Sequence, residues 1–225
     1  MILQALTLTL RLAVTVSIIL LVIGVPLAYW LAFSRKRWKF FVEAIVALPI
    51  VLPPTVLGFY VLVAVGPLSP VGRWYNSLTG HGLAFTFEGL VLGSVLYSLP
   101  FAVQPMATSF AAIDRKLLEA SSLLGASAWR TFRRIVLPLG LPGVLTGFVL
   151  SFAHTLGEFG VVLMIGGNIP GATRTISILI YDQVQALDYA AANRTALLLL
   201  VLCFALLAIL YGLRRRAAWH MWEVR

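Results

Sequence analysis

Charged residues are scarce in this chain of 225 amino acids. Lys and Arg number 17 and Asp and Glu 8, together 11% of the sequence, whereas about a quarter of a typical soluble domain is charged. Hydrophobic residues make up 60%, and the mean hydropathy is +0.97. This composition excludes an ordinary soluble domain and indicates an integral membrane protein with a single domain covering residues 1–225.

Cysteine and nucleotide-binding motifs are nearly or wholly lacking. The one cysteine, Cys203, lies in an apolar run, which excludes a disulfide framework and a cysteine-based metal site. The sequence has no G-x-x-x-x-G-K-[ST] motif, so the chain does not hydrolyse ATP through a P-loop of its own. We therefore expect this chain to bind no metal and no cofactor.

The basic residues that are present do not form one patch. The formal net charge is +9, but the Lys and Arg lie in short loops between apolar runs, which argues against a nucleic-acid partner and follows the positive-inside rule. Arg35, Lys36, Arg37 and Lys39 follow the first apolar run, and only Arg11 precedes it. This asymmetry predicts an external N-terminus and a cytoplasmic first loop.

Long apolar runs predict five crossings of the lipid bilayer, and hence a multi-pass, all-α protein of the cell membrane. With the N-terminus outside, an odd number of crossings places the C-terminus in the cytoplasm. It also places 13 of the 17 basic residues on the cytoplasmic side. The predicted spans cover residues 10–34, 42–66, 88–113, 135–160 and 194–214.

Two segments depart from the pattern of a simple span. Leu48–Phe59, LPIVLPPTVLGF, interrupts the second span with prolines. Non-helical backbone survives at membrane depth only within protein or beside a cavity, so this run is either a kink tolerated by packing or part of a transport pathway. Residues 158–194 predict an external loop with a re-entrant or gate-like helix.

The fourth span carries a stripe of small residues. Gly143, Gly147 and Ser151 recur every four residues and therefore lie on one helix face. Such a stripe lets another helix approach closely. The sequence leaves open whether that helix belongs to the same chain or to a second copy.

The polar loop 114–134 has the signals of two short helices. Asp114 is a candidate N-cap for the first helix, Gly125 can end it in a left-handed turn, and Ser127 can cap the second. Its five basic residues place the loop in the cytoplasm. A short amphipathic helix at a membrane surface either lies on lipid or docks into a groove on a partner.

The spacing in this loop resembles the EAA motif of ABC importer permeases. The run is Glu119-Ala120-Ser121, three residues, Gly125, nine residues, and Ile135-Val136-Leu137-Pro138, with Ser121 where the family has alanine. The resemblance implies a type I ABC importer (MetI-like) permease architecture, in which this loop is a coupling helix seated in a cytoplasmic ATPase. The residues that it assigns to coupling are Glu119, Ala120, Ser121, Gly125, Ile135, Leu137 and Pro138.

His154 and Glu158 lie one helical turn apart at the outer end of the fourth span. A carboxylate within the membrane costs roughly 3 kcal/mol on insertion scales and is a functional candidate. Three interpretations remain open. The pair is an acid–base or metal pair of an enzyme, Glu158 is a buried group satisfied by His154, backbone amides or Arg174, or Glu158 is a gate or dimer contact.

Three further runs resemble oxyanion permeases. Thr155–Gly160, TLGEFG, is similar to a run of the molybdate and sulfate branches, and Leu48–Phe59 is similar to another, with Phe59 for tyrosine. Asn168–Ile176, NIPGATRTI, resembles the molybdate permeases in particular. The resemblance implies a homodimer, two cytoplasmic ATPase subunits that bind ATP and Mg²⁺, and an extracytoplasmic molybdate-binding protein.

A tetrahedral dianion is bound in proteins by backbone amides, helix N-termini, hydroxyls and arginine. The run Thr173–Thr175 is one candidate for that role, but it is equally suited to dock an external protein or to form an ordered turn. The candidates for the pathway or its gate are Pro53, Pro54, Thr55, His154, Glu158, Thr173, Arg174 and Thr175.

Several functional alternatives stay open from the sequence. The transported ion could be sulfate, thiosulfate or tungstate instead of molybdate. A membrane-embedded enzyme using His154 and Glu158, a stand-alone channel and a secondary transporter are also possible. The loop with the EAA spacing disfavours these last three, since none of them needs a docking site for an ATPase.

Overall fold

The computed structural model describes residues 1–222, with side chains through residue 212 apart from residue 210. The C-terminal residue, which the sequence places in the cytoplasm, lies outside this range. The described residues form helices and connecting segments. The helices are α1 Ile2–Phe33, α2 Lys39–Val51, α3 Pro54–Val65, α4 Pro70–Thr79, α5 Phe87–Ala111, α6 Arg115–Leu123, α7 Ala128–Thr131, a π-helical turn Phe132–Val136, α8 Leu137–Gly157, α9 Gly160–Gly166, α10 Ile176–Gln185 and α11 Tyr189–Trp222.

Four helical segments are long and apolar enough to cross a membrane, and a fifth crossing results if the bent pair α2–α3 counts as one span. They are Ile2–Phe33, Phe87–Ala111, Ala128–Gly157 and Tyr189–Ile209. The first and last extend further toward the N-terminus than the predicted 10–34 and 194–214. The arginines at those ends lie within the helices, where Arg11 stacks over the Phe87 ring at 4.4 Å and Arg194 donates to the Ala190 carbonyl.

The core lies between α1, α5 and α8. Leu12 and Leu20 of α1 and Met106 and Phe110 of α5 are fully buried in one apolar cluster, which Val136 joins from the start of the α8 span. Where water is the alternative solvent, full burial of one side chain of this size stabilises the fold by roughly 1.5–3 kcal/mol. In lipid, close packing replaces that driving force.

The small-residue stripe of α8 packs against α5 of the same chain. A Cβ atom built on Gly143 would lie 2.2 Å from the Ser109 Cβ, and one built on Gly147 would lie 2.5 Å from the Ala102 carbonyl oxygen. Only glycine permits this approach, so α5 and α8 contact each other backbone to backbone. The structure thereby answers the question that the sequence left open.

The predicted second span, 42–66, is broken into two helices, as its prolines indicate. The axes of α2 and α3 meet at 115°. Leu52 and Pro53 between them are extended, and Pro54, which has no N–H group, begins α3. The break turns α3 onto α9, where a Cβ on Gly58 would lie 2.8 Å from the Met164 Cβ.

The last long helix, α11, lies at the periphery. Only 11% of an apolar 18-residue stretch of α11 is buried, whereas 50% of the corresponding stretch of α5 is buried. Its exposed side chains include Leu197, Leu200 and Phe204. This helix therefore offers an apolar face to lipid or to another subunit.

Candidate functional site

The loop between α5 and α8 is built as its capping residues predict. The Asp114 carboxylate accepts from the Lys116 N–H at 2.9 Å, and the Ser127 hydroxyl accepts from the Arg130 N–H at 3.3 Å. Gly125 adopts a left-handed φ of 72°. The three predicted helix boundaries are thus confirmed, and together they hold α6 and α7 as two separate short helices.

Ser121 ties these two helices together. Its hydroxyl lies 2.8 Å from the Thr131 hydroxyl on α7, and its carbonyl accepts from the Ala126 N–H at 3.1 Å. Ser121 is buried although its neighbours Glu119 and Ala120 are exposed. The residue that departs from the EAA pattern therefore supplies a polar contact that alanine would lack.

The outer face of the loop is apolar and exposed. Leu123 is 89% exposed and Trp129 69%, and Leu117 and Leu124 also face away from the bundle. Exposed leucine and tryptophan next to basic side chains form the kind of patch that marks a protein or membrane contact. The predicted amphipathic face is present, and no described residue of this chain covers it.

The end of the loop is anchored in the core. Phe132–Val136 form a π-helical turn that runs without a break into α8, where Leu137 and Pro138 begin the α-helix. Val136 is fully buried, and the Phe132 ring contacts the Tyr29 ring of α1 edge to face at 5.3 Å. The loop is therefore continuous with α8 and packed against α1.

At the far end of α8, Glu158 is buried between helices. It is 4% exposed, and its Oε2 accepts from the Ser94 hydroxyl of α5 at 2.8 Å. The carboxylate lies beside the start of α9, which begins two residues later at Gly160. Its Oε1 has no hydrogen-bond partner within the described part of the chain.

His154 makes a second, separate contact one turn away. Its Nδ1 lies 3.0 Å from the Ser98 hydroxyl, which in turn lies 3.0 Å from the Thr155 hydroxyl. The imidazole stacks on Phe101 at 3.9 Å between ring centroids. Because Ser94 and Ser98 are one turn apart on α5, they pair in register with Glu158 and His154 on α8.

This polar ladder of Ser94, Ser98, His154, Thr155 and Glu158 corrects one interpretation from the sequence. His154 does not hydrogen-bond Glu158, since each of them pairs with its own serine. The two groups therefore do not form an acid–base pair. Among the described residues, no three His, Cys, Asp or Glu side chains lie close enough together to hold a metal ion.

Arg174 also has a different partner from the one that the sequence suggested. Its Nε lies 3.5 Å from the Asp182 carboxylate of α10, and it donates to the Asn168 side-chain oxygen. Asn168 in turn donates to both carboxylate oxygens of Asp182 at 2.8 Å. Arg174 thus joins the turn at 168–174 to α10, and its partners are Asp182 and Asn168 and not Glu158.

The hydroxyls beside Arg174 are bonded to the chain's own backbone. Thr173 is buried, donates to the Gly166 carbonyl at 2.6 Å and accepts from the Ile169 N–H at 3.1 Å. Thr175 is buried and caps α10 through the Ile178 N–H. The structure therefore turns neither hydroxyl toward open space, and both fix the turn that follows α9.

The structure brings the proline bend and the Glu158 segment together. A Cβ atom on Gly160 would lie 2.8 Å from the Pro54 Cβ and 3.3 Å from the Thr55 nitrogen. Pro53 and Thr55 are exposed at this contact. The bend, the start of α9 and the polar ladder thus form one continuous region at the end of the bundle opposite the basic loop.

The architecture is a helical bundle with an exposed two-helix loop at one end and a broken helix at the other. Two solved structures share this fold. A bacterial alginate ABC transporter in complex with an alginate-bound periplasmic protein has a TM-score of 0.77 at 19% identity, covering 96% of this chain and 78% of that chain. The MetNI methionine ABC transporter in an inward-facing form has a TM-score of 0.71 at 18% identity, covering 96% and 95%.

The chain belongs to the family of binding-protein-dependent transport system inner membrane components, whose family model matches residues 24–218. The molybdenum transport system permease protein ModB of Azotobacter vinelandii is 52% identical, with 95% of this chain and 94% of that protein covered. The ModB of Escherichia coli strain K12 is 37% identical, with 81% and 80% covered. A probable sulfate transport system permease protein of Chlorella vulgaris is 36% identical, with 80% and 68% covered.

Proposed function

We propose that this chain is the permease subunit of an ABC importer and forms the translocation pathway for molybdate. The observation that carries the proposal is the loop between α5 and α8. It is held rigid by its caps and by the Ser121–Thr131 contact, presents an exposed apolar face, and runs into α8 without a break. The similarity to molybdenum transport permeases supports molybdate as the transported ion.

The partners follow from this assignment. The loop 114–134 docks into a cytoplasmic ATPase, and two such subunits, which bind ATP and Mg²⁺, serve the permease. A second copy of the chain completes the pathway, and an extracytoplasmic binding protein delivers the anion. The exposed apolar face of α11 supports a role in contacts with lipid or with the second copy.

The proposed orientation places the N-terminus outside and the loop in the cytoplasm. Arg115, Lys116, Arg130, Arg133 and Arg134 support it, because translocating this many basic residues is unfavourable. In this orientation the polar ladder and the proline bend lie near the external face. That face is where the delivered anion enters.

The mechanism converts motion of the ATPase into motion at the external end. When ATP draws the two ATPase subunits together, each pulls the loop seated in it. The π-helical turn passes the displacement to α8, and the glycine stripe makes α5 follow. The effect at the other end is to shift α5 and α8 against α3 and α9, where the pathway opens or closes.

Within this mechanism we assign Glu158 to bracing the external gate and not to binding the anion. A carboxylate repels a dianion, so direct binding would require a proton or a bridging cation. Its contact with Ser94 supports a structural role, since it joins α8 to α5 where α8 ends. Pro53 and Thr55, exposed at the bend, are the better candidates for lining the pathway.

Uptake into vesicles tests the proposal. The purified permease, its ATPase and its binding protein are reconstituted, and labelled molybdate uptake is measured with and without ATP. We expect uptake that needs both partners and is inhibited by excess tungstate more than by sulfate. Uptake without ATPase would overturn the importer assignment.

Sulfate is the second candidate, because a probable sulfate permease is also a relative. The same vesicles distinguish the two ions when labelled sulfate replaces molybdate. Equal ATP-dependent uptake of both ions, each with its own binding protein, would assign selectivity to the binding protein and not to this chain.

A further inference from the structure

A cavity of about 410 Å³ opens on the side of the bundle, at the end that carries the basic loops. It lies between the last turns of α1, the first turns of α2 and the last turns of α5. Its volume is within the range of small-molecule sites. The mechanism above does not use it.

The cavity has an apolar floor and a charged mouth. Leu31, Val46 and Val103 form the floor and are buried. Lys39 and Glu43 lie at the mouth, with Nζ and Oε1 3.3 Å apart, and both remain partly exposed. A ligand that fills this space needs an apolar portion and a head that carries both signs of charge.

The uncharged wall of the mouth comes from α5. Gln104 and Thr108 lie one turn apart and line the cavity opposite Lys39 and Glu43. Both side chains can donate and accept hydrogen bonds. They add partners for phosphate or ester oxygens without adding net charge.

The surroundings place this mouth at the level of lipid head groups. Trp38, Phe40 and Phe41 at the start of α2 are more than half exposed. Exposed aromatic side chains beside a span mark the membrane–water interface. The preceding loop carries basic residues, of which Lys36 lies 5.4 Å from the Trp38 ring centroid. The cavity therefore opens toward the boundary between head groups and acyl chains.

We propose that this cavity binds a zwitterionic phospholipid whose head group carries a primary ammonium, such as phosphatidylethanolamine. The phosphate accepts from Lys39, and the ammonium donates to Glu43, so the ligand interleaves with the ion pair. The glycerol and the first acyl carbons lie on Leu31, Val46 and Val103. The inference rests on the placement of the chain in a membrane and not on the identity of the transported ion.

The chemistry of the mouth favours this head group over the other common ones. An anionic head group, such as phosphatidylglycerol, has a partner in Lys39 but offers the Glu43 carboxylate only uncharged hydroxyl donors. Phosphatidylcholine matches both charges, but its quaternary ammonium has no N–H to donate. Of the three head groups, only the primary ammonium brings both a positive charge and N–H donors to the carboxylate.

Lipid retention tests the proposal. The transporter complex is purified in detergent, depleted of lipid, and incubated with phosphatidylethanolamine, phosphatidylglycerol or phosphatidylcholine of identical acyl chains. Bound lipid is counted by native mass spectrometry, and the midpoint of thermal unfolding is measured. We expect severalfold more bound phosphatidylethanolamine than either other lipid, with the largest rise in the unfolding midpoint.

Variants assign the binding to this cavity. Glu43→Gln should lower retention of phosphatidylethanolamine severalfold and leave phosphatidylglycerol unchanged, while Lys39→Gln should lower both. Lys36→Gln is the matched control, since Lys36 lies in the same basic segment but does not line the cavity. The Lys39–Glu43 pair is partly exposed, so its loss leaves the fold intact.

Equal retention of the three lipids, or full retention in Glu43→Gln, would overturn the proposal. Preference for phosphatidylglycerol that Lys36→Gln abolishes would also overturn it, and would assign the lipid contact to the basic loop. Because the measurement is bound lipid and not uptake, its failure leaves the proposed function standing. Conversely, a failure of molybdate uptake leaves the lipid site standing.

Discussion

At the scale of single residues, Glu158 shows what a membrane protein does with a carboxylate at the end of a span. Leaving it unpaired in lipid would cost several kcal/mol. The chain instead buries it at the α8–α9 junction and satisfies one oxygen with Ser94. The sequence singles out Glu158 and His154 because they are polar groups in an apolar run. It does not single out Ser94 and Ser98, since serines are common in such helices and their role depends on the register of α5 against α8.

Substitution of Glu158 tests whether its contact or its charge matters. Glu158→Gln keeps an oxygen for the Ser94 hydroxyl, so we expect most molybdate uptake to remain. Glu158→Ala leaves that hydroxyl buried without a partner, at a cost of about 1–3 kcal/mol, and should abolish most uptake. The measurement is uptake and ATP hydrolysis in vesicles containing all partners.

Arg174→Gln is the control for that prediction. Because Arg174 pairs with Asp182, the Arg174→Gln substitution should lower uptake only by loosening the turn at 168–174. The decrease should therefore be the same in the wild-type protein and in Glu158→Gln. Glu158→Gln as inactive as Glu158→Ala would show that the negative charge itself is required. Unchanged uptake in Glu158→Ala would remove this residue from the mechanism.

At the scale of elements, the long helices and the caps are predictable, and the short helices are not. Apolar runs and charge asymmetry locate the spans, and Asp114, Gly125 and Ser127 locate the ends of α6 and α7 from local chemistry alone. By contrast, α9 and α10 are ten residues or fewer, and such helices form only when tertiary packing covers them. The 115° turn between α2 and α3 likewise depends on α9, which no local pattern reveals.

The left-handed turn at Gly125 gives a test of the loop as a docking element. Gly125→Val places a β-branched residue at a φ of 72° and costs at least about 1 kcal/mol locally. Since the turn sets the angle between α6 and α7, we expect a normally inserted permease that co-purifies poorly with its ATPase. Glu119→Lys, which reverses an exposed charge on α6, should weaken co-purification as well.

Gly80→Val is the matched control for the loop. Gly80 has a φ of 77° at the end of α4 and lies outside the loop. As at Gly125, a Cβ atom added to Gly80 would have no other atom within 4 Å. This variant should carry the same backbone strain and retain its ATPase. Normal co-purification and uptake in both loop variants would contradict the assignment of the loop to coupling.

The glycine stripe gives a second test at this scale. Gly143→Ala inserts a methyl group where no space exists and should destabilise the α5–α8 contact by about 1–3 kcal/mol. Gly157→Ala, in the same helix with nothing within 4 Å of its built Cβ, should be neutral. Thermal unfolding of the two variants in detergent measures the difference, and equal midpoints would show that the helices separate easily.

At the scale of the whole molecule, the basic residues predict the direction of insertion. The fold alone is compatible with either orientation. Short loops rich in Lys and Arg remain on the cytoplasmic side because their transfer is unfavourable. The sequence therefore carries information about topology that the arrangement of helices does not.

Reporter fusions test that direction. A reporter at Met1 should report an external position, and reporters at Lys36, Ala126 and Arg225 should report cytoplasmic positions. The two termini should lie on opposite sides because the chain crosses the membrane five times, with α2 and α3 together making one crossing. If the reporters at Met1 and Arg225 lie on the same side, the number of crossings is even, and the additional crossing would lie within residues 160–194.

The glycine contacts between α5 and α8 also limit how many independent ways a subunit can move. Two helices that touch backbone to backbone cannot slide or tilt separately, so the hairpin of α5, the loop and α8 behaves as one solid arm. Spin labels placed at its two ends should therefore keep one separation throughout the transport cycle. If two such arms pivot against each other within the membrane of the proposed dimer, the main quantity that changes is the angle between them. About such a pivot, a change in that angle that widens the gap at one face of the membrane narrows it at the other, so exclusive opening to one side follows from rigid arms turning about a point within the membrane.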